Sequence, residues 1–125
     1  MLLDTDVLVD IERGHPAALA WIATLTDPPF VSGFAALELA RGAANKAQLR
    51  RIRKFLNDFP LLWPTAADMA QAFDKYAVLR LSHGLGLLDS LIAATAVGSG
   101  EDLVTFNRKH FSAVPGLVTV QPYIR

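Results

Sequence analysis

Three carboxylates in this chain of 125 residues stand where a side chain could do chemistry: Asp4, Glu38 and Asp89. Asp4 follows Leu2-Leu3 directly, at a strand-to-helix switch, and in an open α/β sheet the crevice beyond the carboxyl ends of the strands is where ligands gather. Glu38 is the one charge in Phe34-Ala35-Ala36-Leu37-Glu38-Leu39-Ala40. It either pairs with Arg41 three residues on or faces something else that compensates it. Asp89 opens Leu88-Asp89-Ser90-Leu91-Ile92-Ala93-Ala94, where a helix N-terminus favours an anion. Each also has a plain structural reading, since Asp4, Thr5 or Asp6 could cap the first helix and Asp89 could cap its own.

Taken together they point further. Carboxylates gathered in one crevice of low dielectric would raise one another's pKa values unless a cation neutralised them. Oxygen-only ligands select a hard ion, Mg²⁺ or Mn²⁺, which keeps several waters and accepts phosphate oxygens. That chemistry suits phosphodiester hydrolysis, in which the ion polarises the phosphate and lowers the pKa of an attacking water.

The elements that must position these acids are legible from periodicity. Leu2-Leu3, Phe30-Val31, Leu61-Leu62-Trp63, Leu103-Val104-Thr105 and Leu117-Val118-Thr119-Val120 are short apolar runs that read as strands, and they alternate with longer segments of helical period. That alternation predicts a three-layer α/β/α sandwich on a mostly parallel sheet. One helix should reach Arg13, another should span 32–44, and a basic one should span 45–57 with Leu49, Ile52, Phe55 and Leu56 as its stripe. A further helix should run from Thr65 with Met69, Ala72, Phe73, Tyr76 and Leu79 on one face, and another should end at Gly98-Ser99-Gly100. No stretch is long or polar enough to be an interdomain linker, so residues 1–125 are expected to form one domain.

Apolar residues make up 52% of the chain and charged residues 19%, which excludes a disordered polyelectrolyte. No cysteine is present, so neither disulfides nor thiolate metal sites enter, and a reducing compartment fits. The amino-terminal residues lack a basic stretch followed by an apolar one, and the longest apolar run, interrupted by Asp89, is too short to cross a bilayer; a cytoplasmic protein without membrane contact is expected. Net charge is zero, yet Arg41, Lys46, Arg50, Arg51, Arg53 and Lys54 are half of all Lys and Arg. Arg50, Arg51, Arg53 and Lys54 fall mostly away from the apolar stripe, as a solvated face or as a contact for RNA or another polyanion.

In order and spacing the chain resembles the PIN domains, and within them the VapC-type toxin ribonucleases. The resemblance runs through Leu2-Leu3-Asp4-Thr5-Asp6-Val7-Leu8, Val31-Ser32 leading to Glu38 and Arg41-Gly42, Leu88-Asp89-Ser90-Leu91-Ile92-Ala93-Ala94-Thr95-Ala96, and Leu103-Val104-Thr105-Phe106-Asn107 to His110-Phe111. It implies a metal held by Asp4, Glu38 and Asp89, RNA cleavage leaving a 5′-phosphate and a 3′-hydroxyl, a homodimer, and inhibition by a cognate VapB-like antitoxin. It also implies supporting roles: Asp6 orienting a metal-bound water, Asn107 contributing directly or through water, and Thr5 and Ser32 donating to ligand carboxylates. The chain departs from the pattern at His110, where members often carry an acid, so one ion rather than two is expected.

Three other readings fit parts of the pattern. An aspartate-nucleophile phosphatase would use Asp4 as nucleophile and Asp6 as acid. A phosphoacceptor receiver should carry its aspartate after a central strand, whereas Asp58 closes the basic helix. A non-catalytic PIN-like module would meet RNA or an antitoxin through the basic helix alone.

Overall fold

A computed structural model describes residues 1–125. Its strands are β1 (Leu2–Leu3), β2 (Phe30–Ser32), β3 (Leu61–Leu62), β4 (Leu103–Val104) and β5 (Thr119–Val120), paired in the order β3-β2-β1-β4-β5. Every pairing is parallel; Leu2 stands opposite both Phe30 and Leu103, and Leu3 opposite both Val31 and Val104. Leu2, Leu3, Leu103 and Val104 are fully buried. The central strands are therefore uniformly apolar, as a parallel sheet covered on both faces requires.

Between β1 and β3 the chain forms α1 (Thr5–Glu12), α2 (Pro16–Ile22), α3 (Gly33–Arg41) and α4 (Lys46–Leu56). The return to β4 passes through α5 (Ala66–Gln71), a π-helical turn (Ala72–Tyr76), α6 (Leu79–His83) and α7 (Leu87–Ser99), and α8 (Arg108–Phe111) leads to β5. Crossovers that first run one way from β1 and then back past it, with the handedness such connections share, distribute the helices over the two faces. The three-layer α/β/α sandwich read from the sequence is what forms. Strand order reverses at β1, so the switch point lies between β1 and β4, and the carboxyl ends of such a pair are where ligands gather in open α/β sheets.

Local signals set the helix boundaries. Ser32 caps α3 through Phe34 N, Asn45 caps α4 through Gln48 N, and Thr65 with Asp68 closes a capping box on α5, the pairing that satisfies orphan amides at a helix start. Gly100, at φ 70°, ends α7 in the left-handed region where glycine carries no Cβ penalty. Gly98 has a different role, because Asp68 lies so close that a Cβ would collide with its carboxylate.

Several elements are shorter than expected, with α3 ending at Arg41 and β5 confined to Thr119–Val120, and one differs in kind. The helix starting after Thr65 does not continue to Leu79; the π-helical turn interrupts it, with Ala77 N bonding to Ala72 O at 3.0 Å. The wider turn shifts the phase of the side chains. Ala72 and Tyr76 stay in the core while Phe73, expected beside them, is 82% exposed. No helix is long and apolar enough to cross a membrane.

Candidate active site

Asp4 is the residue around which the site is built. Its amide extends the ladder to Val104 O at 2.9 Å, so its side chain leaves the sheet at the switch point. It is buried. Oδ1 accepts from Thr5 N at 2.8 Å, making Asp4 the N-cap of α1, and Oδ2 accepts from the Thr105 hydroxyl at 2.7 Å. Capping and site-building are thus roles of one carboxylate, each oxygen keeping a further lone pair. Burial first, and then the charges of Asp6 and Asp89, push its pKa up to about 7 against the opposing pull of the Thr105 and Thr5 hydrogen bonds.

Asp6 and Asp89 flank it. Asp6 Oδ1 accepts from Val7 N at 2.7 Å and Oδ2 from Phe106 N at 3.0 Å, and burial raises its pKa. Asp89 sits in the first turn of α7, where its Oδ2 accepts from Gly86 N at 3.3 Å. His110 Nδ1 lies 4.0 Å from that oxygen, an ion-pair separation whenever the imidazole is protonated. His110, the departure from the family pattern, therefore reaches the acids.

Glu38 is exposed on α3 and forms neither the ion pair with Arg41 nor any side-chain hydrogen bond. The hydroxyls of Ser32 and Thr5 do not donate to an acid. Ser32 Oγ accepts from Phe34 N at 3.2 Å, and Thr5 Oγ1 is buried with no partner. Asn107 has its side chain in solvent and its amide bonded to Thr105 Oγ1 at 3.0 Å. Thr105 is the residue that sequence reasoning missed. Its signal is a hydroxyl closing an apolar strand, and that signal acquires meaning only once β4 is known to lie beside β1.

No three acidic or imidazole side chains stand close enough together to grip one ion as they are oriented. The residues nevertheless fit a hard divalent cation. Asp4 is buried among like charges with no basic group near enough to lower it, and the orphaned Thr5 hydroxyl beside it awaits an oxygen partner. Glu38, on the solvent-reachable middle of α3, would have to swing inward to join.

The basic side chains lie apart. Arg50, Arg51, Arg53 and Lys54 are exposed on α4, as their spacing predicts. A cleft of about 600 Å³ between α1 and α4, lined by Arg13, Leu39, Arg51, Ile52 and Phe55 among others, contains none of Asp4, Asp6, Glu38 or Asp89.

A parallel α/β/α sandwich with a buried acid at its switch point is the class that fold and site define. The PIN domain family model matches residues 1–117, and the chain belongs to that family. It is 34% identical over 123 residues to Ribonuclease VapC19 of Mycobacterium tuberculosis, covering 93% of this chain and 95% of the relative. Among solved structures it is similar to a chain of a toxin–antitoxin complex from Klebsiella pneumoniae, with a TM-score of 0.78, 28% identity, and 99% and 98% of the two chains covered. It is equally similar to a chain of VapBC2 from Rickettsia felis bound to a promoter DNA fragment, with a TM-score of 0.78, 25% identity, and 95% and 96% covered.

Proposed function

We propose that the protein is a divalent-metal-dependent endoribonuclease, the toxin of a toxin–antitoxin pair, which hydrolyses RNA phosphodiester bonds using Mg²⁺ or Mn²⁺ held by Asp4 and Asp89 with Glu38. The observation that carries this reading is the Asp4 carboxylate: buried, fixed through both oxygens, and raised to about 7 by burial and by its acidic neighbours. A buried acid raised by its acidic neighbours marks a functional site, and a bound cation would relieve that like-charge repulsion. The ribonuclease name of the Mycobacterium relative and the toxin–antitoxin title of the Klebsiella complex support the substrate and the biology.

When bound, the ion polarises the phosphate and lowers the pKa of an attacking water. The chain's own residues do the rest. Thr105 and the Thr5 amide orient the Asp4 oxygens, the Phe106 amide aims Asp6 so that its free lone pairs can accept the water's proton, and Glu38 would complete the ligand set by swinging inward from α3. Arg50, Arg51, Arg53 and Lys54 would guide the RNA backbone or meet the antitoxin. A homodimer belongs to the same reading. The surface we assign to it is the apolar groove at the start of α7, lined by Met69, Phe73, Leu87 and Leu91 among others, where Phe73 and Leu87 are each more than four-fifths exposed; light scattering should show F73K/L87K as a monomer, and an unchanged mass would remove this surface from consideration.

The test of the activity is cleavage of RNA by the purified protein with Mn²⁺, with EDTA, and in Asp4→Asn and Asp89→Asn. Loss of cleavage in all but the first, with the fold retained, is expected. An undiminished rate in either variant would overturn the ligand assignment, and RNA binding without any cleavage would leave a binding module.

A further inference from the structure

Residues 121–125 run back over α1 and close on the acid site from outside. Asp10, on the helix that Asp4 caps, receives three hydrogen bonds from this segment: the Tyr123 hydroxyl donates to Oδ2 at 2.8 Å, and Arg125 donates through Nε to Oδ2 and through Nη2 to Oδ1, each at 3.0 Å. The two from Arg125 form a planar fork, the strongest geometry available to a guanidinium and a carboxylate. That guanidinium also lies 4.4 Å from the centroid of the Phe106 ring, and Tyr123 meets the same ring edge-on at 5.0 Å. Tyr123 stacks in turn on His15 at 5.8 Å.

Phe106 is the middle residue of the turn that holds the acids. Its amide donates to Asp6, the preceding Thr105 donates to Asp4, and the following Asn107 amide donates to Thr105 Oγ1. Contacts therefore run without a break from Arg125 to Asp4. For α1 to be clasped, the Tyr123–Asp10 bond alone would suffice. The guanidinium adds a lid over the ring whose backbone does the aligning.

We propose that Arg125 is a positioning residue of the hydrolytic site: by gripping Asp10 and covering Phe106, residues 121–125 fix the 105–107 turn so that the Phe106 amide and the Thr105 hydroxyl hold one oxygen each of Asp6 and Asp4 in place and leave their remaining lone pairs for a divalent ion. The inference rests on the metal-dependent hydrolase reading above, and its test is separable from it.

Amide exchange is measured on metal-free protein for wild type, R125Q, R125K and Y123F, followed by Mn²⁺ titration and RNA cleavage kinetics. A local clasp predicts that R125Q speeds exchange at Phe106 and Asn107 by about tenfold or more while the α7 core is unchanged. R125K, which keeps the charge and loses the fork, should fall between. Mn²⁺ affinity should drop in the same order, and the cleavage defect should appear in kcat with KM for RNA preserved. Wild-type protection of Phe106 in R125Q would overturn the proposal, as would a defect confined to KM. If R125Q melts globally, Y123F carries the same comparison, and exchange raised uniformly across the fold would reduce the segment to a structural clasp. Should the wild type cleave no RNA, the hydrolase reading fails, while exchange and Mn²⁺ titration still decide the positioning role.

Discussion

The Thr105 hydroxyl donates to Asp4 Oδ2 at 2.7 Å across the switch point of the sheet, joining residues 101 positions apart. The donor and the acid each follow a central strand, and parallel pairing of β1 with β4 brings them level. Because this hydrogen bond favours the ionised form, it lowers the Asp4 pKa against the larger effect of burial.

Thr105→Val keeps the shape and removes the donor. A buried carboxylate that loses one charge-assisted bond should cost about 1.5–3 kcal/mol of stability at pH 8. At pH 5, where Asp4 is protonated, the deficit should shrink toward that of a neutral bond. Urea denaturation at the two pH values checks this, and an equal deficit at both would show that the bond does not act on the charged form.

The raised pKa of Asp4 sets a pH dependence of stability for the metal-free protein. The native state keeps a proton that the unfolded chain releases near pH 4. Stability should therefore decline as pH rises from about 4 to about 7, by at most about 1.4 kcal/mol per pH unit from this group, and level off above. Asp10 acts in the opposite sense, because the Arg125 hydrogen bond holds its pKa down: its contribution is present above the ordinary carboxylate range and fades as pH falls through it. A divalent ion needs Asp4 ionised, so below pH 7 binding should release up to about one proton. Calorimetry in buffers of different ionisation enthalpy measures that number, and none released at pH 6 would contradict Asp4 as a ligand.

His110 stands 4.0 Å from Asp89 Oδ2, within reach of a shared ion. A neutral imidazole adds no charge to the ligand set, so the wild type should bind one Mn²⁺ without RNA. His110→Asp should tighten that binding by roughly tenfold at neutral pH, as an added anion near the cation would. Two fully occupied sites in the RNA-free wild type, read by anomalous scattering, would overturn the one-ion expectation.

The exposed cations of α4 carry a salt-dependence test. Each phosphate contact on a single strand contributes roughly 0.7 to the slope of log affinity against log salt. Charge reversal of Arg50 and Arg53 should weaken RNA binding and flatten that slope by about 1.4. An unchanged slope would assign this face to the antitoxin or to solvent.

Much of this architecture is written in local pattern. Leu2-Leu3, Leu103-Val104 and the helical stripes between them are legible because burial on both sheet faces demands apolar runs, and because a helix shows its buried face every third or fourth residue. Asp4 and Asp89 stood out for the same reason, as charges at element ends where apolar patterning stops. The exposure of the α4 cations followed from their phase against Leu49 and Ile52.

What tertiary structure alone decided is which ends meet. Thr105 reaches Asp4, Phe106 reaches Asp6 and Arg125 reaches Asp10 only because β4 inserts beside β1, an order set by the packing of helices that have no local signature of it. Phe73 faces solvent because the π-helical turn changes the rotation per residue, and no 3.6-residue period can anticipate that shift. Glu38 has the residue type of a ligand, yet its side chain is exposed on α3, because the phase of a helix against its neighbours, and not residue type, decides which side chains face the switch point. Residue type and period are properties of a few neighbouring amino acids. Hydrogen bonds between distant positions depend on strand order, which is settled by the free energy of the whole core.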